Sequence, residues 1–201
     1  MKSLKMIKEN NMNKMQLLKR RFFAMRNGAV ADSMRKTGAP YRIIFGLNIP
    51  QIADIARDFG PDRELADQLR ENIATRESLL IAPMLFPREE LTQEIARDWL
   101  STAMTPEVID IACLKLIRYL PEAGKLIEEL YKSDKDLDRY AALRLGANSL
   151  PDEMDLVERC AKAEAERQLP LTFSMSMMLL DDISWRREEA AEEEGLEESS
   201  R

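Results

Sequence analysis

The sequence predicts an all-α fold, an α-α superhelix in which antiparallel helix pairs stack side by side. Only 7 Gly and 9 Pro occur among 201 residues, which leaves little material for the hairpin turns of a β-rich fold. Apolar residues recur at three- and four-residue steps, the spacing of one helix face. From residue 50 onward, helix starts recur about every fifteen residues, a rhythm typical of short helices that share a core with their neighbours. An irregular helical bundle is the alternative, and the absence of a strict heptad argues against a coiled coil.

The N-terminal segment, residues 1–43, is predicted to form two basic helices. Residues 2–27 place apolar side chains on one face between lysines and arginines, and Asn27-Gly28 ends this helix. A second helix follows over about residues 29–36. The segment carries eleven Lys or Arg and two acids, a net charge of +9, so the rest of the chain carries −15 within the total of −6. A segment with this charge is typical of proteins that bind nucleic acid, anionic lipid or an acidic partner. It is also typical of a solvated helix face.

Eight further helices are predicted to begin near residues 50, 61, 75, 91, 105, 121, 136 and 151, and a last one to cover residues 171–185. The clearest start is Thr105-Pro106-Glu107, in which a hydroxyl caps the helix, proline occupies the first turn and an acid faces the helix dipole. Pro83 falls inside the helix that begins near residue 75, and we expect it to bend or shorten that helix.

Residues 1–185 are predicted to form a single helical domain, followed by an acidic, disordered tail over residues 186–201. Within that tail, residues 188–201 hold seven Glu and one Arg. Cys113 and Cys160 sit among apolar neighbours, so we expect buried free thiols in a cytoplasmic protein, with a disulfide as the lesser alternative. No apolar run approaches the roughly eighteen residues that a membrane span requires, so we expect no membrane partner.

Histidine is absent from the sequence. This excludes Ser-His-Asp and Cys-His catalysis, imidazole general bases and His-ligated zinc. Two cysteines without histidine cannot complete a structural zinc site, and we expect neither a metal nor a cofactor. Any catalysis must therefore depend on carboxylates, lysine, tyrosine or bound ions.

Three stretches of the chain carry motifs whose order and spacing can be compared with known proteins. Residues 41–59, YRIIFGLNIPQIADIARDF, contain a Phe-Gly turn and a proline-started helix. Residues 71–100, ENIATRESLLIAPMLFPREELTQEIARDWL, contain an Arg-Glu pair, an alanine-bearing helix and a helix that ends in tryptophan. Residues 133–143, SDKDLDRYAAL, contain a Ser-Asp turn and a helix with an Ala-Ala pair. Together these stretches resemble the HEAT-like DNA-alkylation-repair glycosylases of the AlkD type over most of residues 30–165.

The resemblance implies a HEAT-like superhelix whose concave basic surface holds duplex DNA. Members of this family hydrolyse the N-glycosidic bond of cationic alkylated purines, without metal and without drawing the base into a pocket. A carboxylate stabilises the positive charge that develops on the sugar, or orients water there. Two tryptophans pack on the deoxyribose, and an arginine contacts a phosphate.

The resemblance also assigns candidate site residues one by one. The family's catalytic aspartate falls at Asp110, and the tryptophan four residues before it is replaced by Pro106. The phosphate-binding arginine falls at Tyr140, which leaves Arg139, one residue earlier, as the nearest candidate DNA contact. A shift of one residue turns a helical side chain by about 100°. The second tryptophan falls near Met177, so the sequence keeps the carboxylate and substitutes the other three site positions.

The basic cluster Lys19, Arg20 and Arg21 is the best candidate for contacts with DNA phosphates. Phe22 and Phe23, which follow it, are predicted to be core anchors rather than platforms for base stacking. The alternative for this cluster is a basic amphipathic helix that docks on the acidic part of its own chain or on lipid.

The sequence is compatible with two functions. The first is a DNA-alkylation-repair protein that binds duplex DNA and is, if active, a DNA glycosylase. The second is a non-catalytic helical-repeat adaptor that binds a protein partner through its concave face. The net charge of +9 over residues 1–43 and the resemblance favour the first function. The net charge of −15 over the rest of the chain favours the second.

Overall fold

The computed structural model describes residues 13–199, and the chain groups into two compact units, Met1–Glu90 and Leu91–Arg201. Within the described range every regular element is a helix, apart from an isolated bridge between Ile43 and Thr75. The predicted all-α class is therefore confirmed. Adjacent helices pack against one another within each unit, as expected for a helical-repeat protein.

In unit 1, Met1–Glu90, the described helices are short and separately capped. They are α1 (Lys14–Ala24), α2 (Gly28–Lys36), α3 (Ile49–Phe59), α4 (Arg63–Glu71) and α5 (Arg76–Leu85), followed by a 3₁₀ turn over Arg88–Glu90. The side chains of Asn13, Asn27, Asn48 and Asp62 each accept a hydrogen bond from a backbone N–H of the first turn. The prediction of one helix over residues 2–27 is wrong in its extent, because Asn13 is extended and caps α1, which begins at Lys14 and ends at Ala24; residues 2–12 lie outside the described range. Helix α5 runs through Pro83 and ends two residues later, at Leu85.

A buried ion pair ties α5 to the loop that precedes α3. Glu77 is fully buried and accepts hydrogen bonds from the backbone N–H groups of Phe45, Gly46 and Leu47, at 3.0, 2.9 and 3.4 Å. The Arg76 guanidinium lies 3.1 Å from the Glu77 carboxylate and donates to the Leu47 carbonyl at 3.0 Å. The buried carboxylate is thus fully partnered, as a buried charge must be. The Phe-Gly turn (Phe45-Gly46) and the Arg-Glu pair (Arg76-Glu77) of the sequence therefore contact each other in the structure, and we call this set of contacts the clamp.

In unit 2, Leu91–Arg201, one helix is central. The helices are α6 (Gln93–Ser101), α7 (Pro106–Lys115), α8 (Ala123–Tyr131), α9 (Asp136–Asn148), α10 (Leu150–Arg167) and α11 (Phe173–Ser199), with a 3₁₀ turn over Ile117–Tyr119. Helix α9 packs against each of the other five α-helices. Most of its side chains are buried, which fixes the position of the groups that it presents to its neighbours.

Helix α11 continues to Ser199, past residue 185 where the sequence predicts the last helix to end. Arg187 forms ion pairs with Asp155 and Glu158 on α10, at 3.0 and 2.7 Å. Arg186 pairs with Asp182 on its own helix. The glutamate-rich segment has good helix propensity, which the apolar pattern alone does not register. The last two residues of the predicted tail, 200 and 201, lie outside the described range.

The two cysteines are buried and free, which confirms the prediction for them. Burial raises the pKa of the Cys160 thiol to about 11 and that of the Cys113 thiol to about 12, so both remain protonated near neutral pH. Among the described residues, no helix combines the length and the apolar character of a membrane span.

Candidate functional site

Asp110 lies in the second turn of α7, at the edge of an otherwise buried helix. The hydroxyl of Thr105 accepts a hydrogen bond from the Val108 N–H and caps the helix, and Pro106 occupies its first turn. Val108 and Ile109, which precede Asp110, are buried in the core of unit 2. Packing on these neighbours fixes α7 while the Asp110 side chain keeps 37% of its surface exposed. A carboxylate in this position is rigidly supported and accessible from solvent.

Two side chains of α9 converge on this carboxylate. The Tyr140 hydroxyl donates a hydrogen bond of 2.9 Å to Asp110 Oδ1. Arg144 Nε lies 3.1 Å from the same oxygen and forms an ion pair with it. Tyr140 and Arg144 are four residues apart, so they share one face of α9 and reach Asp110 from one side. Within the described part of the chain, Asp110 Oδ2 accepts no hydrogen bond.

Burial sets the electrostatic character of this cluster. It raises the pKa of the Tyr140 phenol, and the hydrogen bond to Asp110 raises it further, so the hydroxyl remains a donor throughout the physiological range. The buried Cys113 thiol near this cluster is neutral, because burial raises its pKa. Arg144 lowers the pKa of this thiol, and Asp110 raises it. The arrangement is a half-buried carboxylate held by one neutral donor and one cation.

Arg139 lies in the interior of unit 2 rather than at this cluster. It is 4% exposed, and its Nε is 3.0 Å from the fully buried Glu164 of α10. It also pairs with Asp136 and donates to the Ser133 carbonyl at 2.9 Å. Glu164 in turn accepts a hydrogen bond from Thr172 at 2.9 Å. Arg139 therefore joins α9 to α10 and presents almost no surface to a phosphate, so we do not assign it a DNA contact.

The predicted basic cluster lies on α1, in unit 1. Lys19, Arg20 and Arg21 are all exposed, and Arg21 forms an ion pair with Asp58 of α3 at 2.6 Å. Phe22 is fully buried and packs against the ring of Phe45, as predicted for a core anchor. The same prediction is wrong for Phe23, which is 58% exposed because a shift of one residue turns it by about 100° away from the core.

Comparison with known proteins identifies the family of the chain. The family model described as DNA alkylation repair enzyme matches residues 18–190. The chain belongs to the DNA alkylation repair enzyme family. The match begins within α1 and ends within α11, so it takes in nearly all of the described residues. Comparisons with curated proteins and with solved structures give no significant match.

Within this alkylation-repair family, the positions assigned from the sequence can be located in the structure. Asp110 and Tyr140, which the resemblance aligns with the catalytic aspartate and the phosphate-binding arginine, are in direct contact. Pro106, at the first tryptophan position, occupies the first turn of α7. Met177, near the second, is 40% exposed on α11.

Arg144 is the side chain of this cluster that the sequence resemblance does not assign. The resemblance places Tyr140 at the position of the family's arginine, and the nearest arginine in the sequence is the adjacent Arg139. A helical period indicates instead the residue one turn later, because positions four apart lie about 40° apart around the axis. The helix spacing of Tyr140 and Arg144 was therefore a signal available from the sequence.

Proposed function

We propose that this member of the alkylation-repair family binds duplex DNA and hydrolyses the N-glycosidic bond of cationic alkylated purines at Asp110. The observation that carries the proposal is the 2.9 Å hydrogen bond between Tyr140 and Asp110. It brings together the two positions that the family resemblance assigns to chemistry and to phosphate binding. The family match over residues 18–190 supports the class of substrate.

The proposed reaction needs little more from the protein than a well-placed negative charge. The bond between C1′ and the purine nitrogen breaks, and its electron pair neutralises the cationic base as it leaves. Positive charge then develops on the sugar, where a fixed carboxylate stabilises it. Water forms the new bond to C1′ and releases a proton to solvent. Asp110 suits this role because its side chain is supported by the core and still accessible.

Tyr140 acts in this scheme as a positioning residue. Its hydroxyl holds Oδ1, which leaves Oδ2 as the oxygen that can face the sugar or a water molecule. The raised pKa of the phenol keeps the proton on the tyrosine, so the hydrogen bond orients the carboxylate without removing its charge.

In this scheme Arg144 supplies the positive charge that is missing because Tyr140 stands where the family has an arginine. Its side chain is 22% exposed, and only Nε approaches Asp110 as closely as 3.1 Å. The planar guanidinium carries five N–H donors, so its terminal nitrogens can contact a phosphate while Nε stays near the carboxylate. We assign the phosphate contact of this site to Arg144.

The proposal is tested by incubating the protein with duplex DNA that carries 7-methylguanine and measuring the free base. We expect release by the wild-type protein and a loss of about a hundredfold or more in Asp110→Asn, since one electrostatic group of this kind contributes on that order. Asp134→Asn, at an exposed position of the same unit, is the matched control and should retain wild-type release. Absence of release by the wild-type protein would refute the glycosylase activity.

A second candidate is the protein-binding adaptor, which two observations favour. The chain beyond residue 43 carries a net charge of −15, and α11 exposes Phe173, Met177, Met178 and Trp185. Affinity for undamaged duplex as a function of salt separates the two functions. Binding through phosphates releases counterions, so affinity falls steeply as salt rises. Absent or salt-independent binding would instead favour the adaptor.

A further inference from the structure

Helix α1 presents an exposed aromatic ring that its core packing does not explain. Phe22 anchors the helix and is fully buried, whereas the adjacent Phe23 is 58% exposed. An exposed phenylalanine contributes nothing to the core, and its apolar surface is unfavourable in water. The family resemblance assigns no role to this position.

The ring of Phe23 is held in place by Arg26, just beyond the end of α1. The Arg26 guanidinium carbon lies 3.9 Å from the ring centroid, within the range of a cation–π contact. One terminal nitrogen of Arg26 also donates to the Phe23 carbonyl at 2.9 Å. The same residue thus touches both the ring and the backbone of Phe23, which orients the ring at little cost in conformational entropy.

Two more cations flank the ring on the same face of α1. Lys19 and Arg20 precede Phe23 by four and three residues, which puts them about 40° and 60° to either side of it around the helix axis. Both are exposed. Arg21 lies about 160° from Phe23 and pairs with Asp58, so it belongs to a different face. Lys19, Arg20, Phe23 and Arg26 together form what we call the α1 stripe.

We propose that the α1 stripe binds unpaired DNA, with Phe23 stacked on an exposed base and the three cations at the flanking phosphates. A positively charged track with an aromatic platform is the combination by which proteins hold single-stranded nucleic acid. The stripe rests on the proposed DNA function, and it adds to it a preference for DNA with accessible bases, such as a single strand or a bulge.

The shape of the stripe fits nucleic acid better than a lipid surface. A helix that lies on a membrane buries a broad apolar face between its basic edges. The apolar face of α1 includes Leu18 and Phe22, and both are fully buried in unit 1. Met15 and Leu17 are half-buried, so Phe23 is the exposed large apolar side chain of α1. One exposed ring among cations matches one base between phosphates.

The test compares three fluorescent DNA ligands of equal length by anisotropy, using the full-length protein: a single strand, a perfect duplex and a duplex with one bulged base. We expect Phe23→Ala to weaken binding to the single strand and the bulge by about tenfold, because base stacking on an aromatic ring contributes on that order. Binding to the perfect duplex should change less than twofold. Phe23→Trp should retain wild-type affinity, and Arg21→Ala should affect the three ligands equally.

The outcomes separate this proposal from the proposed function. If the wild-type protein binds none of the three ligands, both proposals fail. If it binds duplex but Phe23→Ala changes no affinity, or changes all three alike, the stripe proposal alone fails. A further assay measures co-sedimentation with vesicles of phosphatidylcholine and phosphatidylglycerol. If Phe23→Ala loses vesicle binding while its affinity for the single strand is unchanged, the stripe proposal is overturned in favour of a lipid surface.

Discussion

The Tyr140 hydroxyl and the Asp110 carboxylate are joined across α9 and α7 by a 2.9 Å hydrogen bond, in which the donor is buried and the acceptor is half-exposed. The packed core holds the Tyr140 hydroxyl in place, and this hydroxyl orients Oδ1 of Asp110. The Asp110 carboxylate nevertheless remains accessible to solvent. A site assembled in this way depends on the packing of unit 2 as much as on the carboxylate itself.

Removing the hydroxyl should affect activity more than stability. We expect Tyr140→Phe to lower the free energy of unfolding by about 0.5–1.5 kcal/mol, the net contribution of one hydrogen bond, because water can replace the donor at the half-exposed Asp110. Base release should fall further than this loss explains, since the carboxylate is no longer oriented. Urea denaturation and single-turnover release measure the two effects. Tyr119→Phe, at an exposed position, is the control, and a Tyr140 variant equal to it in both assays would contradict the positioning role.

Arg144 should contribute to DNA affinity through a phosphate. We expect Arg144→Gln to weaken binding to duplex regardless of its sequence and to reduce the slope of log affinity against log salt by about one. Arg118→Gln removes an exposed cation of the same unit and serves as the control. Titration of both variants at several salt concentrations provides the measurement. An unchanged salt slope in Arg144→Gln would show that this side chain serves only Asp110.

The buried ion pair of unit 1 should be one of the strongest determinants of its stability. Glu77→Ala leaves the Arg76 charge and three backbone N–H groups without their carboxylate, so we expect a loss of about 3–5 kcal/mol. Glu64→Ala, on the exposed surface of α4, should stay within about 0.5 kcal/mol of wild type. Chemical denaturation of the two variants makes the comparison. Similar losses in both would mean that the clamp is dispensable.

Gly46 should tolerate no side chain, for two separable reasons. Its φ of 77° lies in the left-handed region, and a Cβ there would sit 2.3 Å from the carbonyl oxygen of Asn27. Gly38 has a similar φ of 87° but nothing within 4 Å of its Cβ position. Gly38→Ala should therefore cost about 1–2 kcal/mol for the backbone alone, and Gly46→Ala should cost clearly more. Thermal unfolding of both variants gives the difference, and equal losses would show that the loop moves to accommodate the methyl group.

The helices of this protein follow from local signals in the sequence. The Thr105-Pro106 start of α7, the Asn27 cap of α2 and the Gly60 end of α3 each depend on a few neighbouring residues, so they can be predicted. The continuation of α11 past residue 185 could not be predicted from the apolar pattern, because it follows from helix propensity and from the ion pairs of Arg187 with α10.

The candidate site could be predicted only in part. Asp110 and Tyr140 were located by resemblance, but their contact depends on how α7 packs against α9, which no local pattern contains. Helix spacing puts Arg144, and not Arg139, on the same face of α9 as Tyr140, but the burial of Arg139 against Glu164 depends on how α10 packs and could not be predicted. The exposure of Phe23 beside the buried Phe22 follows from helix geometry once the core face of α1 is known.

In the proposed reaction, the Asp110 carboxylate faces the positive charge that develops on a DNA sugar. The most direct test of this role uses two duplexes, one containing a cationic pyrrolidine in place of a deoxyribose and the other containing a neutral tetrahydrofuran. Because a transition-state mimic gains the interactions that develop during reaction, the wild-type protein should bind the cationic duplex about tenfold or more tightly than the neutral one. Asp110→Asn should bind both alike. Equal affinities in the wild-type protein, or a preference that survives in Asp110→Asn, would contradict the claim.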